Sequence, residues 1–164
     1  MAENRGKQFE AVVKDCFLQV PGVSIDRLHD QTNGYLGSKN ICDFIVYKKP
    51  YEYYIECKTI HGNTFPLSNI TKNQWDGMKE KVKIPGVYAG VLCWWVDKDI
   101  TMFLPIQFLI QIRNNNFVSV PSDYADKWIL DCYDHLPTII HGKKKRVFFD
   151  YDMRRFLEEV GETD

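Results

Sequence analysis

The sequence predicts an α/β fold, a mixed central sheet flanked by helices, and three observations carry that prediction. Phe9, Val12, Val13, Cys16, Phe17 and Val20 recur at helical spacing ahead of Pro21-Gly22, which marks an amphipathic helix that ends there. Two runs rich in Ile, Val, Tyr and Phe, Ile41 to Tyr47 and Tyr53 to Lys58, flank the turn-prone Lys48-Lys49-Pro50 and read together as a hairpin. Val87 to Val96 is almost unbroken in apolar residues and includes Trp94-Trp95, which suits a strand buried on both faces.

The remaining elements are taken in chain order. The first helix runs from about Arg5 to Gln19, and Val23 to Leu28 reads as the first strand. His29 to Asn40, with Asn33-Gly34 and Gly37-Ser38, is a polar loop suited to lie along a phosphate backbone or simply at the surface. Thr71-Lys72-Asn73-Gln74 starts a second helix with Trp75, Met78 and Val82 on its apolar face, ending before Pro85-Gly86. Thr-x-x-Gln is also a capping box, so Gln74 has a structural reading beside any contact with substrate. Asp97-Lys98-Asp99 turns the long strand into Ile100 to Leu104, and Pro105 opens a helix through about Arg113. Asn114 to Pro121 breaks the pattern, and Ser122 to Pro137 mixes aromatics with acids without a readable period. A last helix places Met153, Phe156, Leu157 and Val160 inside and Arg154-Arg155 outside.

Length and charge bound the function. At 164 residues the chain is expected to form one domain, 1–164. With 21 basic against 22 acidic residues, any nucleic-acid site must come from local clustering. No apolar run approaches the ~20 residues of a membrane helix, and the N-terminus lacks the apolar core of a secretory signal, so a cytoplasmic protein with no membrane partner is expected. Cys16, Cys42, Cys57, Cys93 and Cys132 form no C-x-x-C pair, which weakens zinc and disulfide readings. The histidines show no ligand spacing, although His61 lies just past the second hairpin strand.

The chemistry is concentrated between Asn40 and Gln74. Side chains alternate along a strand, so Glu56 and Lys58 emerge on one face and Cys57 on the other, with Asp43 opposite them on the preceding strand if the register allows. Two carboxylates so placed repel unless a hard cation lies between them, and Mg²⁺ prefers a few carboxylates plus water. Such an ion polarises a phosphoryl oxygen and activates water, while a neighbouring ammonium orients that water or offsets charge on the phosphate. Asp43, Glu56 and Lys58 fill the pattern D-x(n)-E-x-K of the PD-(D/E)xK nuclease superfamily. An ordinary solvated strand face is the structural alternative. The candidate metal ligands are Asp43, Glu56 and Cys57, for Mg²⁺ with Mn²⁺ as a substitute.

The flanks extend the resemblance. Thr64-Phe65-Pro66-Leu67 followed by Asn69, Thr71 and Gln74, and Asn4-Arg5-Gly6 ahead of Glu10, resemble the corresponding segments of RecU-type Holliday-junction resolvases of Gram-positive bacteria and their phages. Gly37-Ser38-Lys39 before the Asp is similar to archaeal junction resolvases of the same fold. The resemblance implies a restriction-endonuclease-like core, DNA contacts at Arg5, Ser38, Lys39, Thr64 and Gln74, and a metal-shell or water-positioning role for Glu10. Glu10 otherwise reads as a surface helix residue paired with Lys14 at i,i+4. The basic run Lys143-Lys144-Lys145-Arg146, a solvated turn in most proteins, becomes a phosphate contact given a nuclease core.

The family further implies a homodimer acting on four-way junctions, since two-fold cutting needs a two-fold protein. The aromatic surfaces around Trp94, Trp95 and Trp128 are the expected joining area. Two departures stand out: Cys42 replaces the Pro that often precedes the Asp, and only about a dozen residues join the first strand to Ile41, where RecU proteins carry a longer projecting stalk. The alternatives are a phage or restriction-type nuclease on nicked, linear or otherwise branched DNA, and a catalytically silent DNA-binding or recombinase-modulating module.

Overall fold

Helix α1 spans Ala2–Leu18 and buries Phe9, Val13, Cys16 and Phe17, the stripe that helical spacing predicts. The structure, a computed structural model, describes residues 2–29, 40–128 and 133–161, the side chains of 2 and 3 excepted. Most of the polar loop before Asn40, including Ser38 and Lys39, lies outside the described residues, as does Cys132.

Strand β1, Val23–Arg27, is followed by β2, Phe44–Lys48, and β3, Tyr51–Ile60. β2 and β3 form the expected hairpin, Lys48 paired with Tyr51 and Phe44 with Ile55. β2 starts three residues later than the apolar run suggests, because Cys42 turns its thiol to the Phe44 carbonyl and Asp43 turns its side chain to β3. A short β4, Thr64–Pro66, and a 3-10 turn, Leu67–Asn69, lead to α2, Lys72–Lys81. The capping box at its start is present: Gln74 N–H donates to Thr71 Oγ1 at 3.2 Å, and Gln74 Oε1 accepts from Thr71 N–H at 3.0 Å.

Val87–Trp95 forms β5, Ile100–Pro105 forms β6, and Ile106–Asn114 forms α3. The stretch without readable period holds β7, Ser119–Pro121, the short α4, Tyr124–Lys127, and β8, Thr138–Ile139. The basic run lies on β9, Gly142–Lys144, and the turn after it, paired with β10, Phe149–Tyr151, before α5, Met153–Gly161.

The main sheet has the order β1-β2-β3-β5-β6-β8. It is mixed: β3 and β5 run parallel from Glu52↔Val87 to Ile60↔Trp95, and its other neighbours are antiparallel. This is the order of elements expected of a restriction-endonuclease-like core. One face is covered by α2 and α3 and the other by α1 and α5, each with its own apolar cluster. Trp94 belongs to one cluster and Trp95 to the other, and both are buried. The expectation that they join two subunits is therefore corrected: β5 lies inside the sheet with both faces covered, so its indoles are core. Only Trp128 is partly exposed, stacked on Phe117 with ring centroids 4.6 Å apart.

Two glycines permit this packing. A Cβ on Gly90 would come within 2.3 Å of the Leu104 carbonyl oxygen, and one on Gly77 within 2.1 Å of Ile41 Cγ2. Gly77 thus lets α2 close onto the segment that carries Asp43.

Candidate active site

β3 carries the first two groups. Tyr54 and Ile60 belong to the cluster under α2 and α3, whereas Tyr53, Ile55 and Cys57 belong to the cluster under α1 and α5. Strand alternation therefore sends Glu56 and Lys58 to the α2 side and the Cys57 thiol to the other. Glu56 is 5% exposed, and its Oε2 lies 3.2 Å from Lys58 Nζ.

Asp43 is fixed to the same strand where β2 stops. Its N–H donates to the Ile55 carbonyl at 3.1 Å, and its Oδ2 accepts from the Cys57 N–H at 2.8 Å. Backbone N–H and C=O groups of alternate strand residues face the same edge. The Cys57 carbonyl therefore faces the edge that Asp43 occupies, beyond the last β2 pair. The thiol is excluded as a ligand, because it is buried in the opposite cluster and burial pushes its pKa well up. As a metal ligand, Cys57 can serve only through its carbonyl.

The carboxylates feel each other. Burial, then the neighbouring Asp43 carboxylate, pushes the Glu56 pKa up to about 8 against the opposing pull of Lys58. Glu10 is also raised, by burial first and Asp43 second. Two carboxyl groups that resist ionising together want a cation. Among the described residues no three Asp, Glu, His or Cys side chains converge on one point. Two carboxylates and a carbonyl nevertheless suit Mg²⁺, which keeps several waters and shares its shell with substrate phosphate. The donor set fits such an ion.

Arg27 is the member that sequence reasoning missed. Its Nη2 donates to Glu10 Oε2 at 2.7 Å, and its Nη1 lies 3.5 Å from Asp43 Oδ1. Nη1 also bonds the Leu28 carbonyl, and the guanidinium lies 5.5 Å from the centre of the Phe44 ring. Glu10 is thus paired with Arg27, not with Lys14 as the i,i+4 spacing suggests, and the guanidinium joins it to Asp43. The signal was present: Val23, Ile25 and Arg27 share the inward face of β1, and a basic residue ending an apolar alternation needs an acidic partner inside.

The expected DNA contacts scatter more widely. Arg5 sits on the first turns of α1 with its guanidinium over Trp94 and Phe148, 5.9 and 5.7 Å from the ring centres. Thr64 is exposed on β4, and the Gln74 carbonyl is committed to the helix cap. Lys143, Lys145 and Arg146 are exposed, whereas Lys144 is tied to Asp99. His61 lies beside Asp97, whose other oxygen accepts the Gly62 N–H at 2.6 Å. That pair closes the turn after β3.

Comparison with known proteins bears on this geometry. The family model described as RecU, Recombination protein U, matches residues 4–141. No curated protein matches. Among solved structures, the chain is similar to the 1.6 Å structure of Archaeoglobus fulgidus Hjc, a Holliday junction resolvase from an archaeal hyperthermophile. That likeness covers 62% of this chain and 78% of the other, at 17% identity and a TM-score of 0.47.

Proposed function

Because the chain belongs to the RecU family of recombination proteins, we propose that it is a metal-dependent endodeoxyribonuclease that resolves Holliday junctions by paired phosphodiester hydrolysis. The observation that supports this best is the Asp43 carboxylate held at the unpaired edge of β3, next to Glu56 and the Cys57 carbonyl, with Lys58 3.2 Å from Glu56. Binding alone gives no reason to crowd acids beside a phosphate. A silent module is therefore disfavoured.

Asp43, Glu56 and the Cys57 carbonyl are the groups that would hold Mg²⁺ or Mn²⁺. When bound, such an ion supplies a Lewis acid for the phosphoryl oxygen and lowers the pKa of a water. Lys58 brings an ammonium to the edge of this cluster, where it orients the attacking water or offsets the charge that develops on the phosphate. Glu10, oriented by Arg27, is the third carboxylate within electrostatic reach of Asp43 and positions water at the outer side of the site.

Each chain carries one such set, so symmetrical cutting of a junction requires a homodimer. Cytoplasmic DNA is the substrate this reading implies, and no helix among the described residues is long and apolar enough to cross a membrane. A second reading, a nuclease on nicked, linear or otherwise branched DNA, is favoured by the short chain between Arg27 and Phe44, which leaves little to project into a junction centre.

Incubation with Mg²⁺ and a panel of labelled junctions, flaps, nicked and linear duplexes tests both readings. Paired, symmetry-related cuts in the four-way junction are expected, and sedimentation should show a dimer. Equal rates on linear duplex would leave a general nuclease, and undiminished cleavage in excess EDTA would remove the metal mechanism.

A further inference from the structure

We infer that Lys7 and Lys14 on α1 form a phosphate track that holds the cleaved DNA strand on both sides of the reacting phosphate. This rests on the nuclease reading of the Asp43 and Glu56 cluster and adds to it the surface along which the strand runs.

Lys7, Glu10 and Lys14 are three and four residues apart, so they share one stripe of the helix. That stripe borders a shallow groove lined by Lys7, Glu10, Ala11, Lys14, Arg27 and Phe44. The groove opens beside the acidic cluster, since Arg27 forms one of its walls and reaches both Glu10 and Asp43. Ala11, between the two lysines, carries nothing beyond Cβ and leaves the floor open.

Glu10, the i,i+4 acceptor available to Lys14, is taken by Arg27 at 2.7 Å. Among the described residues neither Lys7 nor Lys14 makes an ion pair. Lys7 is exposed and Lys14 half-buried. Two cations outside any ion pair among the described residues, Lys7 within electrostatic reach of Glu10, flank an acidic centre in a chain whose formal net charge is only −1.

The spacing suits a DNA strand. At about 1.5 Å rise per residue the two lysines stand roughly 10 Å apart along the helix, the rise of about three nucleotides along a duplex axis at roughly 3.4 Å each. Glu10 and Arg27 fall between them, at the step nearest the acidic pair. A backbone lying along the stripe would present one phosphate to each lysine and one of those between them to the cluster. The lysines would also offset the repulsion between DNA and three carboxylates.

The test is Lys7→Gln/Lys14→Gln, a pair of helix-compatible replacements, with circular dichroism to verify the helix. Binding to a four-way junction and to duplex is measured over a salt series in EDTA, where no cleavage is needed for the readout. Loss of two phosphate contacts should flatten the slope of log K against log salt by about 1.4–1.8. Ethylation interference with the wild-type protein should place sensitive phosphates one to two nucleotides on either side of the cut. Replacing Lys143 to Arg146 by Ser should change the slope without moving those positions. An unchanged slope in the double variant, with wild-type cleavage intact, overturns the track and leaves the nuclease reading standing. A flattened slope in a protein that cuts nothing with any divalent metal leaves the lysines as DNA contacts but overturns the nuclease reading and, with it, a track for a cleaved strand.

Discussion

Replacing Glu56 by Gln removes one of the two carboxyls crowded at the unpaired edge of β3, and the stability of the metal-free protein should then depend less on pH. A carboxyl that holds its proton more tightly folded than unfolded stabilises the fold fully below its unfolded value, here 4.5, and that contribution is lost as pH rises to about 8. At about 1.4 kcal/mol per tenfold change in proton affinity, the interval sets an upper bound of about 5 kcal/mol. Lys58 opposes the shift and the Asp43 charge adds to it, so about 2–3 kcal/mol, roughly half that bound, is the loss expected for Glu56. For a chain of this size that corresponds to a fall in Tm of about 5–10 °C. Thermal unfolding in EDTA at pH 5.5, 7 and 8.5 reads it directly: wild type should lose stability across the series and Glu56→Gln should lose much less. Excess Mg²⁺ should restore wild type most at pH 8.5, where the ion has an ionised pair to bind, and restore the variant little. Parallel pH profiles for the two proteins would refute the argument, because the crowding of Asp43 and Glu56 would then carry no energetic weight.

Asp43→Ala and Glu56→Ala should abolish cleavage while leaving DNA binding in place, and Lys58→Ala should slow it by about two orders of magnitude or more; full activity in any two of the three would dismiss the assignment. Arg27→Ala strips Glu10 of its partner and should lower metal affinity or rate by about 10–100-fold, as loss of an orienting group does; a Mg²⁺ titration of activity measures it. Gly77→Ala drives a Cβ into Ile41 and should cost about 1–3 kcal/mol, seen in urea unfolding and partly recovered by adding Ile41→Ala. Replacing Lys143, Lys144, Lys145 and Arg146 by Ser should weaken DNA affinity at every sequence and flatten its salt dependence, Lys144 contributing least because Asp99 already holds it.

Local pattern was enough for the groups that lie on one strand. Alternation puts Glu56 and Lys58 on one face and Cys57 on the other whatever the rest of the chain does. Asp43 needed one further fact, that β2 begins only after it, and the apolar run hid this because Ile41 and Cys42 are as strand-like as Phe44 and Ile45. Arg27 and Glu10 meet across seventeen residues and two elements. No periodicity within α1 could reveal a partner on β1, so the nearest basic residue, Lys14, stood in for it. Gln74 went the other way: its capping box is a local motif, and the cap is what the structure shows. β4, β7 and β8 are only two or three residues long. Strands of that length carry too few alternations to show a period, and β4 finds its partner β7 more than fifty residues away.

The parallel pairing of β3 with β5 also bears on how the protein is made. Glu10, Arg27, Asp43, Glu56 and Lys58 all leave the ribosome within the first 58 residues. The strand that fixes Glu56 and Lys58 in place, however, pairs over nine positions with residues 87–95. Until those residues emerge, β3 has one edge bare, α2 has no β5 to pack against, and α3 and α5 are still to come, an arrangement that does not hold a strand on its own. At roughly 5–20 residues per second, the nascent chain carries every reactive side chain for seconds before it can organise them. Synthesis therefore delivers these side chains on an unorganised polypeptide first, and their arrangement around β3 only after β5 has been inserted. A fragment cut off before residue 87 should keep the whole motif and none of the chemistry.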